Sequence, residues 1–208
     1  MTGIRLRHLE MRLSEVKGFP VPSARDEQYL TPPDLAARLI FHAHSRSDIE
    51  GKRVCDLGTG TGILAIAAAL LGAAAVIGVE RDRAALSVAT ENAEKLGVTP
   101  RFIEDDIGDP GLASRIGPCD TVVMNPPFGA QKRHADRPFI DTALLIAPII
   151  YGIFNAGSKE FVSSYIQGRA EIVEVVGGTL SMKRAFSFHT RDLRDTPVEI
   201  IVMRRMKG

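Results

Sequence analysis

The sequence is poor in cysteine and has no long uninterrupted apolar run. Its 208 residues include only Cys55 and Cys119, which are far apart and which we expect inside strands. Two such cysteines predict packed thiols and do not predict a disulfide framework or a structural zinc site. The longest apolar run, residues 63–79, is broken by Gly72 and Gly78 and does not predict a membrane span. Because no apolar signal-peptide core opens the chain, we expect a cytoplasmic protein. The cysteine count and the broken apolar run lead us to expect neither a bound metal nor a membrane partner.

No single sign of charge dominates either. The 26 Lys and Arg residues are balanced by 25 Asp and Glu residues, so bulk electrostatics does not predict a nucleic-acid partner. The basic residues are nevertheless clustered in segments 5–12, 132–137, 183–194 and 204–207, which we expect to converge on one face. The hydrophobic share of 45% is that of a globular protein with one sizeable core. We therefore predict a single domain over residues 1–208.

Residues 1–33 are predicted to form an N-terminal helix and a lead-in segment. Leu6, Leu9, Leu13 and Val16 have helical spacing, and basic residues lie between them. Four prolines then bracket the segment before a second helix, which is predicted to begin at Pro33.

From residue 52 onward, short β-rich segments alternate with helical segments. The predicted strands are residues 53–57, 75–80, 99–103, 121–124 and 149–154, and the predicted helices are 63–71, 83–96, 138–147 and 159–167. This alternation is typical of right-handed βαβ units, so the predicted class is α/β with a doubly wound Rossmann-like sheet. Predicted strands at 171–176, 185–189 and 198–203 have no helices between them. They indicate an antiparallel hairpin at one edge of a sheet of about seven strands.

A glycine-rich loop follows the first predicted strand. The segment Asp56-Leu57-Gly58-Thr59-Gly60-Thr61-Gly62 leads from a strand into a helix, where glycines allow close approach of a nucleotide-like ligand. A simple strand-to-helix turn is the alternative interpretation. Ile63 stands where a dinucleotide-binding loop has its last glycine, which disfavours a pyrophosphate ligand.

Two acids follow the next strands. Glu80 ends the second predicted strand, where a carboxylate can accept both ribose hydroxyls of a nicotinamide dinucleotide or of S-adenosylmethionine. The alternative is a solvated strand-end acid. Asp106 follows the third strand, where it can accept from the amino group of an adenine ring, and a loop-capping Asp is the competing interpretation.

The segment Asn125-Pro126-Pro127-Phe128 at the end of the fourth predicted strand indicates the chemistry. The prolines fix φ and turn the backbone rigidly out of the sheet. The Asn125 side-chain carbonyl and the Pro126 backbone carbonyl then form a pair of acceptors for the two hydrogens of an amino group. Phe128 offers a flat face for stacking a base. The alternative is a rigid turn with Phe128 in the core.

With these motifs, the sequence resembles the Rossmann-like class I methyltransferases that modify amino nitrogens. The segments Glu27-Gln28-Tyr29-Leu30-Thr31-Pro32-Pro33, Asn125 to Gly129 and Phe186-Ser187-Phe188-His189 are similar to the small-subunit ribosomal RNA adenine-N6 methyltransferases, called methyltransferase-like 5 proteins in eukaryotes, with archaeal relatives. The likeness spans nearly the whole chain. It implies transfer of a methyl group from S-adenosylmethionine to an exocyclic amino nitrogen, namely N6 of an adenine in ribosomal RNA.

The resemblance also implies roles for individual residues. Gln28 and Thr31 are expected at the methionine end of the cofactor, Glu80 at the ribose, and Asp106 with the Ile107 backbone at the adenine. The further cofactor-binding candidates are Tyr29, Asp56, Gly58, Gly60, Thr61, Gly62 and Ile63. The sequence departs from the family at Glu80, where Asp is frequent, and at Thr59 and Thr61, where Cys is frequent. Eukaryotic members work with a small zinc-binding activator subunit, so such a partner is a further expectation.

Six residues are predicted to contact RNA, by charge or by their place near the acceptor. They are Lys132, Arg133, Lys183, Arg184, Phe188 and His189. For Phe188 and His189, a core Phe beside a surface His is an equally open interpretation. Three other functions also stay open: methylation of a protein glutamine amide, a cofactor-binding RNA interaction subunit without transfer activity, and a nicotinamide oxidoreductase.

Overall fold

The computed structural model describes residues 4–23, 27–128, 134–183 and 193–206, and its centre is one mixed β-sheet. The strands are β1 (Arg53–Leu57), β2 (Ala75–Glu80), β3 (Arg101–Glu104), β4 (Thr121–Met124), β5 (Ile149–Asn155), β6 (Ala170–Lys183) and β7 (Leu193–Arg205). The helices are α1 (Leu6–Leu13), α2 (Pro33–Ser45), α3 (Ile63–Leu70), α4 (Arg83–Lys95), α5 (Leu112–Ile116), α6 (Arg137–Ile146) and α7 (Lys159–Ile166). The strand order of this seven-stranded sheet is β3-β2-β1-β4-β5-β7-β6.

The predicted fold class is confirmed. Strands β1 to β5 pair in parallel, and β7 is antiparallel to both β5 and β6. The predicted bounds of β1, β2 and β4 are those of the structure, whereas β6 and β7 are much longer than predicted. Helix α5 was not predicted, because the Asp109-Pro110-Gly111 segment before it is typical of a turn. The strand predicted at 185–189 lies outside the described residues.

Side chains of alternate strand residues pack into two cores, one on each face of the sheet. In β1, for example, Val54 belongs to the core beneath α2 and α3, and Cys55 belongs to the core beneath α6 and α7. Both cysteines are buried free thiols, but Cys119 lies in the turn before β4 and not in a strand as predicted. Within the described ranges, no helix is long and apolar enough to cross a bilayer. Burial on both faces explains why these strands are continuously apolar.

The sheet places its polar loops at the carboxyl ends of the parallel strands. The strand order reverses between β1 and β4, and this switch point creates a crevice where ligands bind in doubly wound folds. Arg204 pairs with Ile149 at the opposite end of the sheet. The expected convergence of all four basic segments on one face is therefore wrong for residues 204–206, the described part of the last segment, because β7 runs antiparallel and ends away from the crevice.

Strands β6 and β7 continue past the end of β5. The last β5–β7 pair is Asn155 with Val198, but the β6–β7 ladder extends to the pair of Lys183 with Leu193. This two-stranded ribbon, residues 179–183 and 193–197, overhangs the carboxyl end of β5. It therefore lies on the same edge of the sheet as the crevice.

Candidate active site

A cavity of about 650 Å³ opens at the carboxyl ends of β1, β2 and β4. Most residues predicted to bind the cofactor or the acceptor line it: Gln28, Tyr29, Thr31, Asp56, Gly58, Gly60, Thr61, Ile63, Glu80, Asp106, Ile107, Asn125 and Pro127. Gly62, Pro126 and Phe128 are not among the lining residues. The structure therefore brings together the glycine loop, the two strand-end acids and the start of the Asn-Pro-Pro-Phe segment, which are distant in the sequence.

Asp56 is the most deeply buried acid of the cavity. One of its oxygens, Oδ2, accepts hydrogen bonds from the Thr59 hydroxyl at 2.6 Å and from the Ala65 backbone N–H at 3.0 Å, so Asp56 stabilises the first turn of α3. The other oxygen, Oδ1, is buried without a hydrogen-bond partner in the described part of the chain. Burial raises the pKa of Asp56 to about 7. A cationic donor bound in the cavity would satisfy this oxygen.

Two phenyl rings pack directly on the glycine loop. Gly58 has φ +71°, and a Cβ there would lie 2.7 Å from the Phe139 ring. Gly60 has φ +54°, and a Cβ there would lie 2.8 Å from the Phe19 ring. Both positions thus require glycine for conformation and for space. The sequence interpretation missed Phe19 and Phe139 because each aromatic residue contacts the loop from a remote segment.

Glu80 is held by backbone donors on both oxygens. Its Oε2 accepts from Gly60 N at 3.1 Å, and its Oε1 accepts from Arg81 N at 2.9 Å and Asp82 N at 3.0 Å. Burial raises the pKa of Glu80, and these three N–H groups oppose that rise. Since each carboxylate oxygen can accept two hydrogen bonds, Glu80 keeps one acceptor position, on Oε2, for a hydroxyl donor in the cavity.

Asp106 is an exposed acid that caps its own loop. Its Oδ1 accepts a hydrogen bond from Gly108 N at 2.7 Å. One of its two oxygens therefore caps the loop, as the competing interpretation expected. Its neighbour Ile107 is buried, and the Ile107 carbonyl accepts from the Thr142 hydroxyl of α6 at 3.1 Å. Both residues still line the cavity wall beside Glu80.

The lead-in segment is tied to the glycine loop and to α4. The Gln28 amide accepts from Ser23 N at 2.9 Å and donates to Asp82 at 2.8 Å, so both of its polar ends are engaged within the protein. Asn92 is buried in α4, donates to the carbonyls of Thr61 and Lys17 at 3.0 Å each, and accepts from Lys17 N at 2.9 Å. Asn92 was not predicted as a site residue, since a single Asn within a helical pattern carries no distinguishing signal.

Asn125 is oriented by the lead-in segment. Its Nδ2 donates to the Thr31 hydroxyl at 2.9 Å, and its Oδ1 is buried with no hydrogen-bond partner among the described residues. The Tyr29 hydroxyl interacts with the Asn125 side chain, and burial raises the pKa of that phenol. The contact to Thr31 fixes the amide so that its carbonyl oxygen is the free acceptor at the cavity.

Phe128 is braced from the same segment. Its backbone N–H donates to the Glu27 carboxylate at 2.7 Å, and its half-buried ring lies 5.7 Å from the Tyr29 ring at an interplanar angle of 43°. Glu27 has φ 51°, an uncommon value for a residue with a side chain. Glu27 was not predicted as a site residue. The alternative interpretation, in which Phe128 packs in the core, therefore holds for the buried part of its ring.

Most residues predicted to contact RNA cannot be placed. Lys132, Arg133, Arg184, Phe188 and His189 lie outside the described residues, as does Gly129. Lys183 is the last residue of β6, at the outer end of the two-stranded ribbon.

Comparisons with known proteins agree with this geometry. Residues 37–125 match the family model of the ribosomal protein L11 methyltransferase. An uncharacterised protein of Methanocaldococcus jannaschii is 38% identical over 98% of this chain and 95% of its own length. The rRNA N6-adenosine-methyltransferase Mettl5 of Drosophila melanogaster is 34% identical over 96% of both chains. The chain belongs to the METTL5 family of methyltransferases.

A solved structure extends the METTL5-type likeness to three dimensions. The crystal structure of a candidate RNA methyltransferase from Pyrococcus horikoshii is 35% identical, covers 98% of this chain and 99% of that one, and has a TM-score of 0.89. Membership of the METTL5 family confirms an enzyme of the methyltransferase class with S-adenosylmethionine as its cofactor. The match to the L11 methyltransferase model ends at Asn125 and thus covers the cofactor half of the sheet, which methyltransferases of different substrates share.

Proposed function

We propose that the protein transfers a methyl group from S-adenosylmethionine to N6 of an adenosine in ribosomal RNA. The observation that carries this proposal is Asn125, whose buried Oδ1 has no partner among the described residues while its Nδ2 is held by Thr31. A buried carbonyl oxygen without a donor is costly unless a ligand supplies one. An exocyclic amino group is such a donor.

The cavity has the donor and acceptor groups that the cofactor needs. S-Adenosylmethionine supplies a methyl group bound to a sulfonium, and it also carries an ammonium, two ribose hydroxyls and an adenine. Asp56 Oδ1 fits the ammonium, Glu80 Oε2 fits a ribose hydroxyl, and Asp106 with the Ile107 backbone fits the adenine edge. The glycines of the loop allow the ligand to approach the backbone closely.

The acceptor residues act through electrostatics and not as a base. The N6 lone pair of adenine is delocalised into the ring, so the nitrogen is a weak nucleophile. If Asn125 Oδ1 and the Pro126 carbonyl each accept one N6 hydrogen, they favour the geometry in which the lone pair faces the methyl carbon. They also stabilise the positive charge that develops on nitrogen in the transition state. The proton is lost readily after transfer, so a strong base is not required.

Three earlier alternatives are less well supported. A protein glutamine amide would fit the same pair of acceptors, but the relatives of matching length that carry a functional name are RNA methyltransferases. A subunit without transfer activity would not need Asn125 oriented by Thr31. A nicotinamide oxidoreductase would need a pyrophosphate site, which the glycine spacing disfavours.

Transfer from tritiated S-adenosylmethionine to total ribosomal RNA, followed by mass spectrometry of the nucleosides, tests the proposal. We expect N6-methyladenosine with the wild-type protein and little with Asn125→Ala. Label that appears only in protein, or in a nucleoside other than N6-methyladenosine, would contradict the assignment of the acceptor.

We extend the proposal to a partner and a location. A small zinc-binding activator subunit, expected from the family resemblance, would pair with the edge strand β3, whose Ile103 is only partly buried. A protein that is monodisperse and fully active when purified alone would exclude a required partner. The proposed location is the cytoplasm, where ribosomes act, and cell fractionation is the measurement that checks it.

A further inference from the structure

Arg137 stands at the rim of the acceptor cavity. It is the first residue of α6, and its neighbours Ala135 and Pro138 line the cavity together with Asn125. Its guanidinium carbon lies 5.0 Å from the centre of the Tyr165 ring and 5.7 Å from the centre of the Phe161 ring. A cation over two aromatic faces is held with its plane fixed.

The aromatic support is itself ordered. The Phe161 and Tyr165 rings stack at 5.9 Å with an interplanar angle of 19°, and His134 stacks on Phe161 at 6.3 Å and 21°. His134 also lines the cavity. The three rings therefore form a continuous stack that begins at the cavity wall and runs along α7. The Arg137 guanidinium packs against the Phe161 and Tyr165 rings of this stack.

The charge of Arg137 is not neutralised by a contact within residues 4–23, 27–128, 134–183 and 193–206. Its guanidinium makes no hydrogen bond or ion pair there, and its buried Nε has no hydrogen-bond partner. Asp136, the preceding residue, is the adjacent acid but forms no ion pair with it. Because the protein encloses Nε, the donors that a ligand can reach are the two terminal amino groups of the guanidinium, which make no hydrogen bond within the described residues.

Arg169 provides an internal contrast. It also lies 5.0 Å from the Tyr165 ring, but it donates to Asp141 at 2.7 Å and to the Tyr165 carbonyl at 2.9 Å. Its charge and its donors are thus satisfied within the protein. Two arginines share one aromatic ring, and only Arg137 keeps its donors available for an external anion.

We propose that Arg137 binds a backbone phosphate of the RNA strand next to the target adenosine. The planar guanidinium matches the paired oxygens of a phosphate, and stacking on two rings removes most of its conformational freedom before binding. Arg137 itself is not among the residues that line the cavity, so the phosphate would lie outside the cavity mouth. This inference rests on the proposed function, since it takes RNA as the substrate.

Fluorescence anisotropy with a labelled single-stranded RNA containing one central adenosine tests the inference. Arg137→Gln is expected to weaken binding roughly tenfold and to make the slope of log affinity against log salt shallower by about 0.7, which is the value for one lost phosphate contact on a single strand. Arg169→Gln is the matched control, because it removes an equal charge that the protein itself neutralises, and it should leave the salt slope unchanged. Equal melting shifts of both variants with S-adenosylhomocysteine would show that the cofactor site is intact.

Tyr165→Leu tests the aromatic support separately, because it removes a ring face without removing a charge. We expect a higher KM for RNA and an unchanged kcat at saturating RNA, with a salt slope like that of the wild type. The inference is overturned if Arg137→Gln binds RNA with the affinity and slope of the wild type while the wild type methylates RNA. If the wild type methylates a protein and binds no RNA, the proposed function fails and this inference fails with it.

Discussion

The cofactor half and the acceptor half of the cavity are built differently. Asp56 and Glu80, in the cofactor half, are fixed by two and three hydrogen bonds from donors that lie at most 20 residues away. Asn125 and Phe128, in the acceptor half, each donate one hydrogen bond to the lead-in, at separations of 94 and 101 residues. The cofactor half is thus stabilised by its own local sequence, whereas the acceptor half depends on a remote segment.

This difference has a functional consequence. A site whose binding side chains are fixed by nearby residues keeps its geometry when distant segments change. A site whose side chains depend on a single remote contact does not. Substitutions in the two halves should therefore separate cofactor affinity from the rate of methyl transfer. The following predictions are ordered by the size of the expected effect.

Asn125→Ala is expected to have the largest effect. Loss of one preorganised electrostatic partner commonly costs about 2.7 to 4 kcal/mol in the transition state, so kcat should fall by a factor on the order of a hundred or more. The affinity for S-adenosylhomocysteine should stay unchanged, because the cofactor acids are fixed without Asn125. Single-turnover transfer at saturating RNA and cofactor measures the rate, and calorimetry measures the affinity. A rate near that of the wild type would show that Asn125 has no catalytic role and that the Asn-Pro-Pro-Phe segment is only a rigid turn.

Glu80→Ala should produce the opposite pattern. It removes a charged acceptor for the ribose, and a hydrogen bond to a charged group is worth on the order of 1.5 to 3 kcal/mol. S-Adenosylhomocysteine should therefore bind much more weakly and raise the melting temperature less. Glu104→Ala is a matched control, because Glu104 is the exposed strand-end acid that pairs with Glu80 in the sheet. An undiminished melting shift for Glu80→Ala would identify Glu80 as a bystander.

Thr31 tests whether the lead-in serves the cofactor or the acceptor. Thr31→Val keeps the shape but removes the oxygen that accepts from Asn125, so we expect kcat to fall roughly tenfold as the amide loses its fixed orientation. Thr31→Ser retains the hydroxyl and should restore most of the rate. If Thr31→Val instead weakens S-adenosylhomocysteine binding with kcat unchanged, the role at the methionine end is the correct one.

A change from about pH 8 to about pH 7 is expected to have the smallest effect, roughly twofold. Because burial raises the pKa of Asp56 to about 7, the free enzyme is partly protonated near neutrality, whereas an ammonium ligand needs the carboxylate. Affinity for S-adenosylhomocysteine should therefore decrease as pH falls, approaching about tenfold per unit well below the pKa. Asp56→Asn, which keeps the bonds to Thr59 and Ala65 possible, should bind more weakly and without this dependence.

The same group affects stability with a definite sign. Between the ordinary carboxyl range and about pH 7, Asp56 is protonated in the folded enzyme and ionised in the unfolded chain. The folded state then binds more protons, so the free energy of unfolding should decrease as pH rises through this window and level off above it. Urea denaturation of the wild type and of Asp56→Asn at several pH values measures the difference.

The parts of the fold that could be predicted are those specified locally. The ends of β1, β2 and β4 were found because each is a buried apolar strand bounded by polar or glycine residues. Glu80 and Asn125 were found because they stand at the ends of such strands. Local pattern and local structure agree at these positions.

The residues that were missed act over long separations. Phe19, Asn92 and Phe139 contact the glycine loop from distant segments, and nothing in their own neighbourhood distinguishes them. Glu27 stands in a segment that was singled out, but its contact with Phe128 lies 101 residues away. The full length of β6 and β7 was also not predicted. In the ribbon these strands pair only with each other, and the alternation of apolar residues that identifies a strand has already ended there. Pairing of that kind is decided by the opposite strand.

The two-stranded ribbon has a consequence for hydrogen exchange. Its inner part is anchored by the fully buried Leu180, but the outer pairs, Ser181–Lys183 against Leu193–Asp195, have no third strand beside them among the described elements. A ribbon of two strands is marginally stable in water, so local opening there should require far less free energy than opening of the sheet. Amides of these outer pairs should exchange well before those of β5, and RNA should slow their exchange if it binds along this edge.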